Sequence, residues 1–79
     1  PQALLNLKVR SRVPLSQLHS LQEEIGKADA AFGKVGRHLI RYSGTENKLR
    51  ILVEHQDQGE VDRWSLAFKS AVEADFESL

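Results

Sequence analysis

The stretch "GRHLIRYSGTENKLRILVE", residues 36–54, limits the possible folds more than any other part of the chain. Two alternating apolar runs flank a short group of Gly, Thr, Glu and Asn, which reads as two strands joined by a hairpin loop. Setting Ser43 opposite Lys48 leaves residues 44–47 as the loop. On one face Tyr42 then meets Leu49, Ile40 meets Ile51 and His38 meets Val53. On the other, Leu39 meets Leu52 and Arg37 meets Glu54. Apolar and opposite-charge matches of this kind stabilise a ladder. A one-residue slip sets Ile40 against Arg50 and turns side chains to the wrong face. Pattern alone excludes a slip of two less sharply.

The opening "QALLNLKVRSR" alternates too. Ala3, Leu5, Leu7 and Val9 share one side, with Asn6, Lys8, Arg10 and Arg12 on the other, so it reads as a strand with one buried face that ends at Pro14. Leu18, Leu21, Ile25, Ala28 and Phe32 recur at the spacing of an amphipathic helix. Ser20 and Glu23 have the spacing of a capping box, which predicts a helix over residues 20–32 after an irregular turn. Gly33 is placed to take the left-handed conformation that closes it. Asp57 and Glu60 suggest a second helix start, followed by a stripe of Val61, Trp64, Phe68, Ala71, Val72 and Phe76. The order β-α-β-β-α implies an α+β fold, a mostly antiparallel sheet with both helices packed on one face. At 79 residues the chain is one domain, near the lower limit for a core without staples. Opening at Pro1 and lacking any methionine, it reads as an excised piece of a longer protein.

In the favoured register Arg41 lies directly opposite Arg50. Guanidinium groups about 5 Å apart repel by about 1 kcal/mol in water and about 3 kcal/mol at the effective dielectric of a protein surface. The formal net charge of the chain is zero, so any electrostatic function has to be local. An oxyanion between the two arginines reverses the sign of their interaction, because each fork donates charge-assisted hydrogen bonds. Gly44 allows close backbone approach, while the Ser43 and Thr45 hydroxyls and the loop amides add donors. A phosphate dianion suits this set better than a carboxylate, since its oxygens point in several directions. The same residue types also serve any hairpin loop, and strand-end arginines are commonly solvated, so a plain hairpin stays open on these residues alone. The chain has no cysteine, and His19, His38 and His55 lack ligand spacing, so no metal site is expected.

Read as a whole, "GRHLIRYSGTENKLRILVE" resembles the C-terminal domain of the α-D-phosphohexomutase superfamily. Its phosphate-binding loop follows the pattern R-x-S-G-T-E-P-x-x-R-x-x-V-E. Arg41, Ser43, Gly44, Thr45, Glu46, Arg50, Val53 and Glu54 all fall where that pattern requires them. The opening "PQALLNLKV" and the later "LQEEI" are similar to one branch of the superfamily, the bacterial phosphoglucosamine mutases. Asn47 departs from the pattern, standing where proline is usual, and is expected to leave the loop exit less rigid.

The resemblance implies that residues 1–79 are the C-terminal phosphate-binding domain of a multidomain isomerase, with a phosphoglucomutase C-terminal-domain-like fold. That enzyme interconverts glucosamine 6-phosphate and glucosamine 1-phosphate, a cytoplasmic step of carbohydrate metabolism toward peptidoglycan precursors. In the family a phosphoserine of the first domain donates the phosphoryl group, so the parent is a phosphoprotein, and Mg²⁺ held by aspartates of another domain assists. Neither feature is found in this sequence, so the chain alone is expected to be inactive, with no catalytic residue, metal or cofactor of its own. Its implied part is to hold the phosphate that is not reacting. Arg41 and Arg50 supply charge, and Ser43, Gly44 and Thr45 shape the cradle; Glu46 is expected to brace the loop. The implied partners are the sugar phosphate and the other domains of the parent, without nucleic acid or membrane. Two alternatives share parts of this reading. The same domain of a phosphoglucomutase or phosphomannomutase has this loop, and a small non-catalytic α+β module, for instance an RNA-recognition domain, has a similar element order. Zero net charge and the lack of exposed strand aromatics weigh against RNA.

Overall fold

The computed structural model describes all of residues 1–79. Its elements run β1 (Gln2–Lys8), α1 (His19–Phe32), β2 (Gly36–Tyr42), β3 (Lys48–His55) and α2 (Gln58–Glu77), with a 3₁₀ turn at Leu15–Gln17. β3 is the central strand of a wholly antiparallel three-stranded sheet ordered β1-β3-β2. The hairpin takes the expected register: Arg37 pairs with Glu54, Leu39 with Leu52, Ile40 with Ile51, and Arg41 with Arg50. β1 closes the other side of β3, so α1 carries the chain across the sheet from one edge to the other.

The inward faces of the strands hold Leu49, Ile51 and Val53, which are fully buried against Leu18, Leu21, Val61 and Phe68 of the helical layer. Both helices lie on this side. Trp64 meets Phe32 nearly edge to face, with ring centres 5.8 Å apart, and so joins α2 to the end of α1. Asp57 caps α2 by accepting from the Gly59 amide at 2.7 Å. The Glu60 carboxylate turns away from the cap and accepts from Trp64 Nε1 at 3.0 Å. Gly33 closes α1 with a φ of 54°, a conformation available to it because it has no Cβ.

The start of α1 departs from the expectation. Ser20 lies inside the helix, Leu18 precedes it, and no side chain of the segment caps it. The Ser20 and Leu21 amides instead donate to the two carboxylate oxygens of Asp75, at 3.0 and 2.9 Å, across from the last turns of α2. Leu18 is fully buried and stands at the cap position, which puts Ser20 two residues too late to act as the cap. β1 is also shorter than its alternation suggests, although the Val9 amide extends the ladder by donating to Asn47 O at 2.9 Å.

The outer face of the sheet is organised in rows across the three strands. Gln2, Glu54 and Arg37 form one row, and Leu4, Leu52 and Leu39 the next. Asn6, Arg50 and Arg41 follow, and then Lys8 and Lys48 beside the hairpin loop. The helices leave this face uncovered: Leu4 and Leu39 are more than half exposed, at 56% and 52%. No helix is long and apolar enough to cross a membrane.

Candidate phosphate-binding site

Because β2 and β3 pair in this register, the outward-facing Arg41 and Arg50 are direct cross-strand neighbours. Arg50 Nε donates to Asn6 Oδ1 at 3.3 Å, so β1 contributes a neutral anchor for it. Neither guanidinium reaches a carboxylate. The ion pairs of the domain are Lys27 with Glu24, Arg37 with Glu54, His38 with Asp29, and Lys48 with Glu46. Both arginines line one shallow cavity of about 220 Å³ together with Leu4, Leu39 and Leu52. The leucine row gives that cavity an apolar wall on one side of the pair, open to solvent.

Ser43, Gly44 and Thr45 do not line that cavity; they lie further along, in the loop itself. Ser43 closes the hairpin by donating its amide to Lys48 O at 2.8 Å. Beyond it, the amides of Gly44, Thr45, Glu46 and Asn47 donate to no group of the chain. The carbonyls of Ser43, Glu46 and Asn47 are all engaged: Arg12 donates to the first two, the Lys48 amide also to Glu46, and the Val9 amide to Asn47. Four free amides stand against two carbonyls without a partner, those of Gly44 and Thr45, so free donors outnumber free carbonyls, as in an anion-binding concavity.

Gly44 is not in a left-handed conformation, and a Cβ built on it meets nothing within 4 Å. Nothing within the domain therefore requires a glycine there. Glu46 forms an ion pair with Lys48 at 2.9 Å. The Lys48 hydrogen bond and charge hold its carboxyl below the usual range, and Arg50 adds a smaller pull in the same direction. The Asn47 carbonyl accepts from the Val9 amide, and its Nδ2 reaches Arg10 O at 3.5 Å.

Tyr42 packs inward from the end of β2 and donates its hydroxyl to Val13 O at 2.5 Å. Burial raises its pKa, with the Arg12 charge opposing. His38 contacts Asp29 at 2.6 Å and packs its ring against Phe32 and Phe68, as part of the fold rather than of the loop. The sequence alone offers the loop amides but misses Arg12 and Asn6. Arg12 stands 31 residues before Ser43, so no local spacing links them.

Comparison with known proteins places the fold in a family. Residues 4–71 match the family described as phosphoglucomutase/phosphomannomutase, C-terminal domain. A phosphoglucosamine mutase from Anaeromyxobacter sp. (strain Fw109-5) is 54% identical over 57 residues, covering 72% of this chain and 12% of that protein. Another, from Chlamydia trachomatis serovar L2 (strain ATCC VR-902B / DSM 19102 / 434/Bu), is 40% identical over 75 residues, covering 95% of this chain and 16% of that protein. The fold also superposes on a crystal structure of N-acetylglucosamine-phosphate mutase, a member of the alpha-D-phosphohexomutase superfamily, in its product complex. The TM-score is 0.68 at 27% identity, over 91% of this chain and 15% of that one. The chain thus spans between 12% and 16% of the length of these relatives. With most of its length matched, it belongs to the family of phosphoglucomutase and phosphomannomutase C-terminal domains.

Proposed function

We propose that this chain is the phosphate-gripping domain of a cytoplasmic phosphoglucosamine mutase, the isomerase that interconverts glucosamine 6-phosphate and glucosamine 1-phosphate. The observation that carries the proposal is the pairing of Arg41 with Arg50 over one cavity with no carboxylate on either. Two like charges on facing strands oppose the bare fold, and a bound dianion turns that cost into attraction. Ser43, Gly44 and Thr45, with the free amides of residues 44–47, stand beyond that cavity at the loop end of the pair and supply the further donors of the cradle.

The domain holds the phosphate that is not reacting. Its binding energy orients the other end of the sugar and contributes to the chemical step. Since the sugar phosphate must bind in two orientations, the grip has to recognise phosphate without reading which carbon carries it. Cations, hydroxyls and backbone amides meet that need. Mg²⁺, which the family uses to assist phosphoryl transfer, does not fit the residues of this domain. No three His, Asp or Glu side chains converge, and the candidate site presents cations and N–H donors. The transfer itself belongs to residues outside this chain, which alone is catalytically silent.

An NMR titration of the chain with glucosamine 6-phosphate tests this reading. Amide shifts confined to residues 41–50 are expected, and unchanged spectra at millimolar ligand would remove the assignment.

A further inference from the structure

We propose that Arg12 is the positioning residue of the cradle, an inference that rests on the loop being the phosphate site proposed above. Arg12 stands outside the loop motif, in the segment between β1 and α1. Its Nη2 donates to both Ser43 O and Glu46 O, the latter at 2.9 Å, and so bridges the loop from its first residue to its fourth. One guanidinium thereby fixes the distance across the loop. It also holds these two carbonyls, which would repel an anion, in contact with a cation.

The same connecting segment grips the loop at further points. The Val9 amide donates to Asn47 O, Asn47 Nδ2 donates to Arg10 O, and the Tyr42 hydroxyl donates to Val13 O. Arg12 differs from these contacts in acting on the stretch that contains Gly44 and Thr45. No φ there is positive, and a Cβ on Gly44 meets nothing, so neither strain nor packing sets the shape of the loop from within. The amides of residues 44–47 have no partner in the chain to order them. The loop's shape is held by the Arg12 bridge together with the Lys48 amide on Glu46 O, and Arg12 is the one that ties Ser43 to Glu46. Without it the loop samples other conformers, and apparent affinity falls by the fraction of time spent in the competent one.

The test compares wild type, Arg12→Gln and Arg12→Lys in the 79-residue chain. Inorganic phosphate is titrated by amide NMR, and backbone relaxation is recorded without phosphate. Both variants should bind about tenfold more weakly, about 1.4 kcal/mol at 25 °C. Both should also show increased fast motion at residues 43–47, with β1 and β3 resonances unchanged. Lysine keeps the charge and has donors enough for two carbonyls, but its nitrogen ends one bond short of where Nη2 stands, so it does not keep both contacts and its failure to rescue separates positioning from simple attraction. If Arg12→Lys binds as wild type does while residues 43–47 move more, Arg12 acts through charge and the positioning role is overturned. If wild type binds and Arg12→Gln binds equally well, the role is overturned while the cradle stands. If wild type itself shows no shift, the cradle reading falls, and Arg12 as its positioning residue falls with it.

Discussion

Replacing Asp75 by alanine tests how the two helices are coupled. Its two carboxylate oxygens accept from the Ser20 and Leu21 amides at 3.0 and 2.9 Å, in a partly buried setting, and no other side chain caps α1. A side-chain cap contributes about 0.5–2 kcal/mol, and a carboxylate serving two amides belongs at the upper end, about 2 kcal/mol. Against this, Asp75 sits near the C-terminus of its own helix, where the dipole disfavours an acid by about 0.5 kcal/mol. The net expectation for Asp75→Ala is a loss of about 1.5 kcal/mol. For a domain of this size that lowers the melting temperature by about 6–12 °C. Urea and thermal unfolding followed by circular dichroism measure it, and faster exchange of the Ser20 and Leu21 amides identifies the cause. Asp75→Asn, which retains one acceptor, should fall between the two. A change in Asp75→Ala below about 0.5 kcal/mol at unchanged m would refute the cap, because substitutions without a structural role commonly stay inside that range.

Gly36→Ala places a Cβ 2.7 Å from His55 Cδ2 and 3.0 Å from both Glu54 O and Phe32 Cγ, so a loss of about 1–3 kcal/mol is expected in urea unfolding. In a full-length enzyme carrying this domain, Arg50→Ala should lower kcat/KM by at least about tenfold with the fold intact; full activity would take Arg50 out of the site. Acid should weaken the domain through Glu54 and Glu46, whose pKa values are lowered by hydrogen bonds from Arg37 and Lys48. Groups depressed in the folded state stabilise it above their unfolded pKa of about 4.3 and lose that contribution as pH falls through the folded value. Urea midpoints measured from pH 7 to pH 3 should therefore drop below about pH 4.5, and Glu54→Gln should flatten part of the drop.

The hairpin was legible because residues 36–54 carry their own cross-strand code: Arg37 needs Glu54, Leu39 needs Leu52, and one register satisfies both. The stripe from Val61 to Phe76 marked α2 in the same way, since its period is local. What stayed hidden depends on residues far apart in the chain. The Ser20–Glu23 spacing imitates a capping box, yet the actual cap, Asp75, lies 55 residues beyond Ser20. The place of β1 beside β3 follows from the path of α1 across the sheet, which strand alternation does not encode. That placement brings Asn6 to Arg50 and Arg12 to the loop. The arginine pair of the candidate site could thus be read from one hairpin. The groups that support it could not.

Asn6 shows why the identity of a supporting residue matters as much as its position. Zero net charge conceals a gathering of cations at one end of the sheet: Lys8, Arg10, Arg12, Arg41, Lys48 and Arg50 are six of the 11 basic residues, and Glu46 is the acidic residue in the loop among them. A stable bare domain would favour an aspartate at position 6, beside Arg50. The asparagine there orients Arg50 through Oδ1 and leaves its charge available. Asn6→Asp should therefore move two measurements in opposite directions. Stability rises by up to about 1 kcal/mol at low salt, the range of an exposed ion pair. Affinity for inorganic phosphate falls by about tenfold, since the new carboxylate neutralises Arg50 and repels the dianion. Both effects should shrink as ionic strength rises past about 0.15 M, where the screening length is about 8 Å. A variant that is more stable and binds phosphate as tightly as wild type would show that Arg50 does not act on the anion by charge, and the pairing of Arg41 with Arg50 would need another cause.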